Sequence, residues 1–179
     1  MAAASRVPGQ WAGAVTDHIV VGDRVLLEAD FRAARARLGI LAGDELLLQA
    51  SEAAYGTGIT HLVVAAGPAA GLTRLAAAYL ARPAGTDGCT HVSLRWEAIA
   101  ADGRLFTALE ADLMLVPAGD QHTTLALAGG YRPQPGPAGA GLDEMILRRC
   151  ATVAIRSFVA QVAGALVHPA GTAGPAVVP

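Results

Sequence analysis

Lysine is absent from this chain: its 13 basic residues are all arginine, and 15 acidic residues bring the net charge to −2. So complete a bias marks a GC-rich coding sequence before it marks a function. The arginines are scattered, whereas a phosphate backbone asks for clustered positive charge, so nucleic acid is not an expected partner. Cysteine is nearly absent as well. Cys89 and Cys150 have neither metal-ligand nor framework spacing, and two reduced thiols are the simplest reading. No two histidines are spaced as a ligand pair, and there is no Gly-x-Gly-x-x-Gly, no Walker loop and no Gly-x-Ser-x-Gly elbow. Metal-dependent, nucleotide-binding and serine-hydrolase chemistry therefore lack their usual parts, and no metal or cofactor is expected.

Long apolar runs are missing too, although 53% of the residues are hydrophobic and the mean hydropathy is +0.42. Much of that excess is alanine. The longest uncharged stretch, Ser157 to Pro179, contains Gln161, His168 and three prolines, short of the roughly 20 consecutive apolar residues of a membrane span. The N-terminal MAAASRVPGQW has no apolar core of the secretory kind. These absences predict a soluble, cytoplasmic protein without stable membrane insertion, and the length fits one domain with a substantial core.

What is present centres on residues 141–167, GLDEMILRRCATVAIRSFVAQVAGALV, which no proline interrupts and whose apolar residues return at helical intervals. Stepping about 100° per residue places Met145, Arg148, Arg149, Thr152 and Arg156 on a solvent side. Leu142, Ile146, Val153 and Ala160 form a second side, and Leu147, Ala151, Ile155, Phe158 and Val162 a third. So wide an apolar arc predicts a helix with other elements wrapped around it. Between the arcs runs a thin stripe of Asp143, Cys150, Ser157 and Gln161, which either faces an enclosed space or marks ordinary boundary positions.

Read in order, residues 1–13 carry no periodicity and are expected to be a loose leader. Val15 to Glu28 reads as strand with a turn or bulge at Gly22-Asp23. Asp30 caps a first short helix, and Asp44 a second that Gly56 stops. Five strand signals follow, at Ile59–Ala65, Leu72–Arg82, Cys89–Ala100, Ala111–Val116 and Thr123–Tyr131, joined by turn-rich linkers that include ADGRLFTALE. The clearest has Val92, Leu94, Trp96 and Ala98 alternating with His91, Ser93, Arg95 and Glu97, as in an antiparallel sheet solvated on one face. RPQPGPAGAG (132–141) leads to the last helix, and the tail over 168–179 has no partner pattern.

HVSLRWEA (91–98), LFTALEADLMLVPAG (105–119) and TTLALAGGYRPQPGPAGAGLDEMILRRCATVAIRSFVAQVAGAL (123–166) resemble the START-like superfamily, also called SRPBCC or polyketide cyclase-like. In wording they look like its actinobacterial branch. The resemblance covers roughly 14–167. It implies an α+β helix-grip fold: a curved antiparallel sheet of about seven strands around a long C-terminal helix, with two short helices after the first strand and a hydrophobic cavity inside. Members bind lipids, polyketides or quinones, and some are cyclases or aromatases. The superfamily has no universal catalytic motif, so no catalytic residue is carried over.

The expected function is binding of a small hydrophobic or amphipathic molecule between sheet and helix. The alternatives are a cyclase-type enzyme and a structural or partner-binding protein with a filled cavity. Trp96, Tyr79 and Tyr131 are candidate ligand-lining residues because each joins an apolar body to a polar tip, though each equally reads as core packing. Asp143, Cys150 and Ser157 join them from the helix stripe, Asp143 reading equally as a charge at the helix N-terminus. Acid–base candidates are His61, His91, Arg95, Glu97, Asp112, Tyr131 and Asp143. Alternation turns His91, Arg95 and Glu97 toward solvent. The sequence assigns neither the ligand nor the oligomeric state.

Overall fold

The computed structural model describes residues 19–42, 45–68, 73–81, 83–86, 88–100, 102–132 and 144–168. Asp143, Asp44, the leader over 1–13, the linker after Arg132 and the tail from 169 lie outside them. β1 (Ile19–Leu27) is followed by α1 (Phe31–Leu41), α2 (Glu45–Ala66), β2 (Arg74–Leu80), β3 (Ala84–Thr86), β4 (Cys89–Ile99), β5 (Leu105–Pro117), β6 (Thr123–Tyr131) and α3 (Glu144–Val167). This is an α+β fold. The strands form one antiparallel sheet ordered β1-β6-β5-β4-β2, with β3 also paired to β4. Six strands are present among the described residues rather than the seven implied by the resemblance.

One expected strand, Ile59–Ala65, is instead the second half of α2, while β3 forms in the PAGTDG stretch read as a linker. The β-branched residues of Ile59–Ala65 read locally as strand, but packing against α3 decides otherwise. Tyr55, Gly58 and Leu62 are buried at helical spacing, and Gly58 lets the helices meet: a Cβ there would lie 2.9 Å from Ala154 Cβ and 3.3 Å from the Cys150 carbonyl oxygen. Gly56 does not stop the helix, since it faces open space and costs only backbone entropy. Thr57 and Thr60 fit by donating their hydroxyls to the Ala53 and Gly56 carbonyls. α1 begins as expected, with Asp30 Oδ1 accepting from the Arg32 and Ala33 amides at 3.0 and 3.1 Å.

β5 also departs from expectation. It starts at Leu105, inside the stretch read as a linker, because a register shift opposite Trp96/Glu97 turns Ala108 and Leu109 inward together. Such a bulge breaks the alternation by which a strand is recognised. Gly129 on β6 allows the sheet to bend there, since any Cβ would collide with the Glu110 carbonyl and with Ala111.

α3 lies on the inner face of the sheet against β1 and β6, packed beside α2, which itself reaches β2 and, through Tyr55, Trp96 of β4. Ala151, Ile155, Phe158 and Val162 are buried as the wheel predicts. The second apolar arc is only partly used: Ile146 and Val153 are half-buried, and Ala160 is exposed. At the C-terminal end Arg37 of α1 donates to the Leu166 carbonyl at 2.5 Å, supplying a partner to one of the carbonyls a helix end leaves open.

Candidate functional site

The inner face of β4 carries Trp96, wholly buried, and three rings from three other elements meet it edge-on. Tyr55 of α2 stands 6.2 Å away by ring centroids at 86°, Tyr131 of β6 at 6.4 Å and 83°, and Phe158 of α3 at 5.5 Å and 82°. Edge-to-face pairs of this kind contribute about 0.5–1.5 kcal/mol each beyond area burial. Around Trp96, then, the space between sheet and α3 is occupied by side chains. Three polar tips sit in this apolar interior. The Trp96 Nε1 has no acceptor among the described residues. The Tyr55 hydroxyl donates to Thr73 Oγ1 at 3.0 Å, and burial, opposed by that bond, pushes its pKa up to about 12. The Tyr131 phenol is held well above its ordinary range by burial, with Tyr55 and Cys150 adding to the effect. Both phenols are therefore neutral donors at physiological pH, unsuited to act as bases there.

Of the remaining predicted residues, Cys150 alone among those described comes near this cluster, close enough to act on Tyr131. Tyr79 is 54% exposed, on the outer face of the sheet, with its hydroxyl 3.5 Å from Glu97 Oε2. The cause is a bulge between Leu75 and Ala77, after which Ala78 and Leu80 are half-buried and Tyr79 points away. Ser157 is half-buried and accepts from Gln161 Nε2 at 3.2 Å on the exposed flank of α3. Cys150 is buried, but against Leu62 of α2 rather than beneath the sheet. Burial raises its thiol pKa, partly opposed by Arg149, so the unreactive thiol form is favoured. His61 is exposed on α2. Arg95 pairs with Glu97 at 2.9 Å and donates to Thr107 at 3.2 Å, and Ser93 donates to Asp112 at 2.8 Å. With His91 exposed beside them, these groups make the outer sheet face the solvated one, as the alternation predicts.

One concavity lies elsewhere, and the sequence reading missed it. Where α1 and α2 diverge from the end of α3 there is an open groove of about 410 Å³. Its floor is Leu47, Ala50 and Val162, with Leu46 on the rim, and the carboxamides of Gln49 and Gln161 are its polar groups. It exists because Ala50, Ala53, Gly164 and Ala165 bring too little side chain to fill the gap; a Cβ added at Gly164 would meet nothing within 4 Å. The available signal was the pairing of these small residues near the two helix ends. Among the described residues no charged side chain lines it.

Among the described residues no three His, Cys, Asp or Glu side chains are grouped to hold a metal ion. α3 is long and apolar enough to cross a membrane, but half of that stretch is buried inside the fold. No family model matches the chain, and no curated protein matches it. Among solved structures it is similar to the Zhui aromatase/cyclase from Streptomyces sp. R1128, at 10% identity over 86% of this chain and 98% of that one, with a TM-score of 0.34. So loose an overlap transfers no residue role.

Proposed function

We propose that this is a START-like, helix-grip protein that binds a small, largely apolar molecule of lipid, polyketide or quinone type. The observation that carries this reading is the groove of about 410 Å³ between α1–α2 and α3, lined among the described residues by aliphatic side chains and two glutamines, within the size range of small-molecule sites. Aliphatic walls take the apolar body of the ligand, and the two glutamine amides, which both donate and accept, orient a carbonyl or hydroxyl. Cyclase-type chemistry finds less support, because Arg95 lies on the outer sheet face and the inward-facing Tyr131 phenol is a neutral donor held by burial. The order of elements and the long C-terminal helix laid on an antiparallel sheet support the family assignment. Filling around Trp96 moves the proposed site from beneath the sheet to the helix side.

The neutral fluorophore N-phenyl-1-naphthylamine tests the site. Saturable binding is expected, with Gly164→Phe losing at least tenfold in affinity while keeping its melting temperature, since open space receives the new ring. No binding by the wild type, or unchanged binding by the variant, would overturn the reading.

A further inference from the structure

The outer face of the sheet is divided. On β4 and β2 it is polar and internally paired, through Arg95 with Glu97 and Thr107, and Tyr79 with Glu97. On β1 and β6 it is bare. Gly22 of β1 and Ala126, Ala128 and Gly130 of β6 form a flat strip. Val20, Leu26 and Val116 flank it at 81%, 57% and 39% exposure, three exposed aliphatics on one face. Arg24 stands on the β1 side of this strip, and Asp112 and Glu110 on the β5 side.

We infer that this strip is the contact surface of a symmetric homodimer, in which two sheets pack outer face to outer face about a two-fold axis running along β6. The charge distribution selects a second copy as the occupant. Such an axis lays β1 of one copy over β5 of the other, twice, so the basic side of each strip meets the acidic side of its partner. Arg24 and Met114 share a row through Ala126, and Gly22 and Asp112 the adjacent row through Ala128. Arg24 therefore comes to lie over the partner's Met114. Two residues along a strand span about 7 Å, which brings the partner's Asp112 within reach of an arginine side chain. Alanine and glycine let the two backbones approach to roughly the 10 Å of packed sheets, and the flanking aliphatics close the ends. The Arg95–Glu97–Tyr79 half of the face is left outside the contact, and Asp112, whose Oδ1 accepts from Ser93, keeps its second carboxylate oxygen for the partner.

Sedimentation equilibrium of the full chain tests this. A dimer is expected for the wild type, a monomer for Ala128→Arg, and at least tenfold weaker dimerisation for Arg24→Glu. Adding Asp112→Arg to Arg24→Glu is expected to recover most of that loss, and His91→Ala, on the other half of the face, to change nothing. Circular dichroism and melting temperature matching the wild type show that the variants fold. A wild type that stays monomeric at several hundred micromolar, an Ala128→Arg variant that still dimerises, or a double variant as weak as the single one would overturn the proposal.

Discussion

Tyr55 shows how much one side chain can carry unseen. Nothing in its local sequence separates it from Tyr79, yet it is buried against Trp96 while Tyr79 is in solvent. Its folded pKa of about 12, above the usual 10.0, ties stability to alkaline pH. Below pH 10 both folded and unfolded chains keep the proton, and the contribution is constant. Between 10 and 12 the unfolded chain releases a proton that the folded one retains, so stability falls as pH rises, by about 2–3 kcal/mol across the window. Urea unfolding at pH 8 and pH 11.5 is expected to show this loss, and Tyr55→Phe to reduce it. At pH 8 the same variant loses roughly 1 kcal/mol for the bond to Thr73. Trp96 and Tyr131 were legible as aromatics that pack inward; Tyr55 was not, because the helix that turns it inward was cut at the following residue.

That cut is the main lesson at the scale of elements. Strands with clean alternation, β4 and β6, are readable because one face is apolar and the other is not. α2 is not readable past Tyr55, because two glycines and the run ITHLVV imitate a stop and a strand, and only contact with α3 reverses the reading. The two glycines also differ from each other. At Gly56 a Cβ meets open space, so Gly56→Ala is expected to stabilise by about 0.5–1 kcal/mol. At Gly58 the same methyl lies 2.9 Å from Ala154 Cβ, and Gly58→Ala is expected to cost about 1–3 kcal/mol by forcing α2 from α3. Thermal denaturation of the pair, two residues apart on one helix, reads both signs. The bulges in β2 and β5 misled for a related reason: each reassigns faces through a hydrogen-bond register that sequence alternation does not report. Tyr79 and the start of β5 were lost there.

At the scale of the molecule, the helix laid on a sheet was legible from the long apolar arc of residues 141–167, and a void was not. Small residues imply either a cavity or a closer approach. The structure uses both outcomes, closing α2 on α3 at Gly58 and leaving them apart at Gly164. If the groove binds as proposed, a ligand at a hundred times its Kd is expected to add about 2.7 kcal/mol of stability, read as a rise in melting temperature that Gly164→Phe abolishes. The strand order has a further consequence, in time rather than space. β1 precedes the rest of the sheet in the chain, but among the described residues its strand partner is β6, with Ile19 facing Tyr131 and Leu27 facing Thr123. During synthesis the segment IVVGDRVLL therefore waits, unpaired and apolar, until nearly the whole sheet has left the ribosome. A chain stopped at Gln121 is expected to be protease-sensitive even though its other strands are complete. Refolding of the full chain is expected to be slow, in milliseconds to seconds by stopped flow, as such distant pairings require. The interval between the first strand and the last is the period in which this protein's unpaired apolar strand is most open to pairing with another chain.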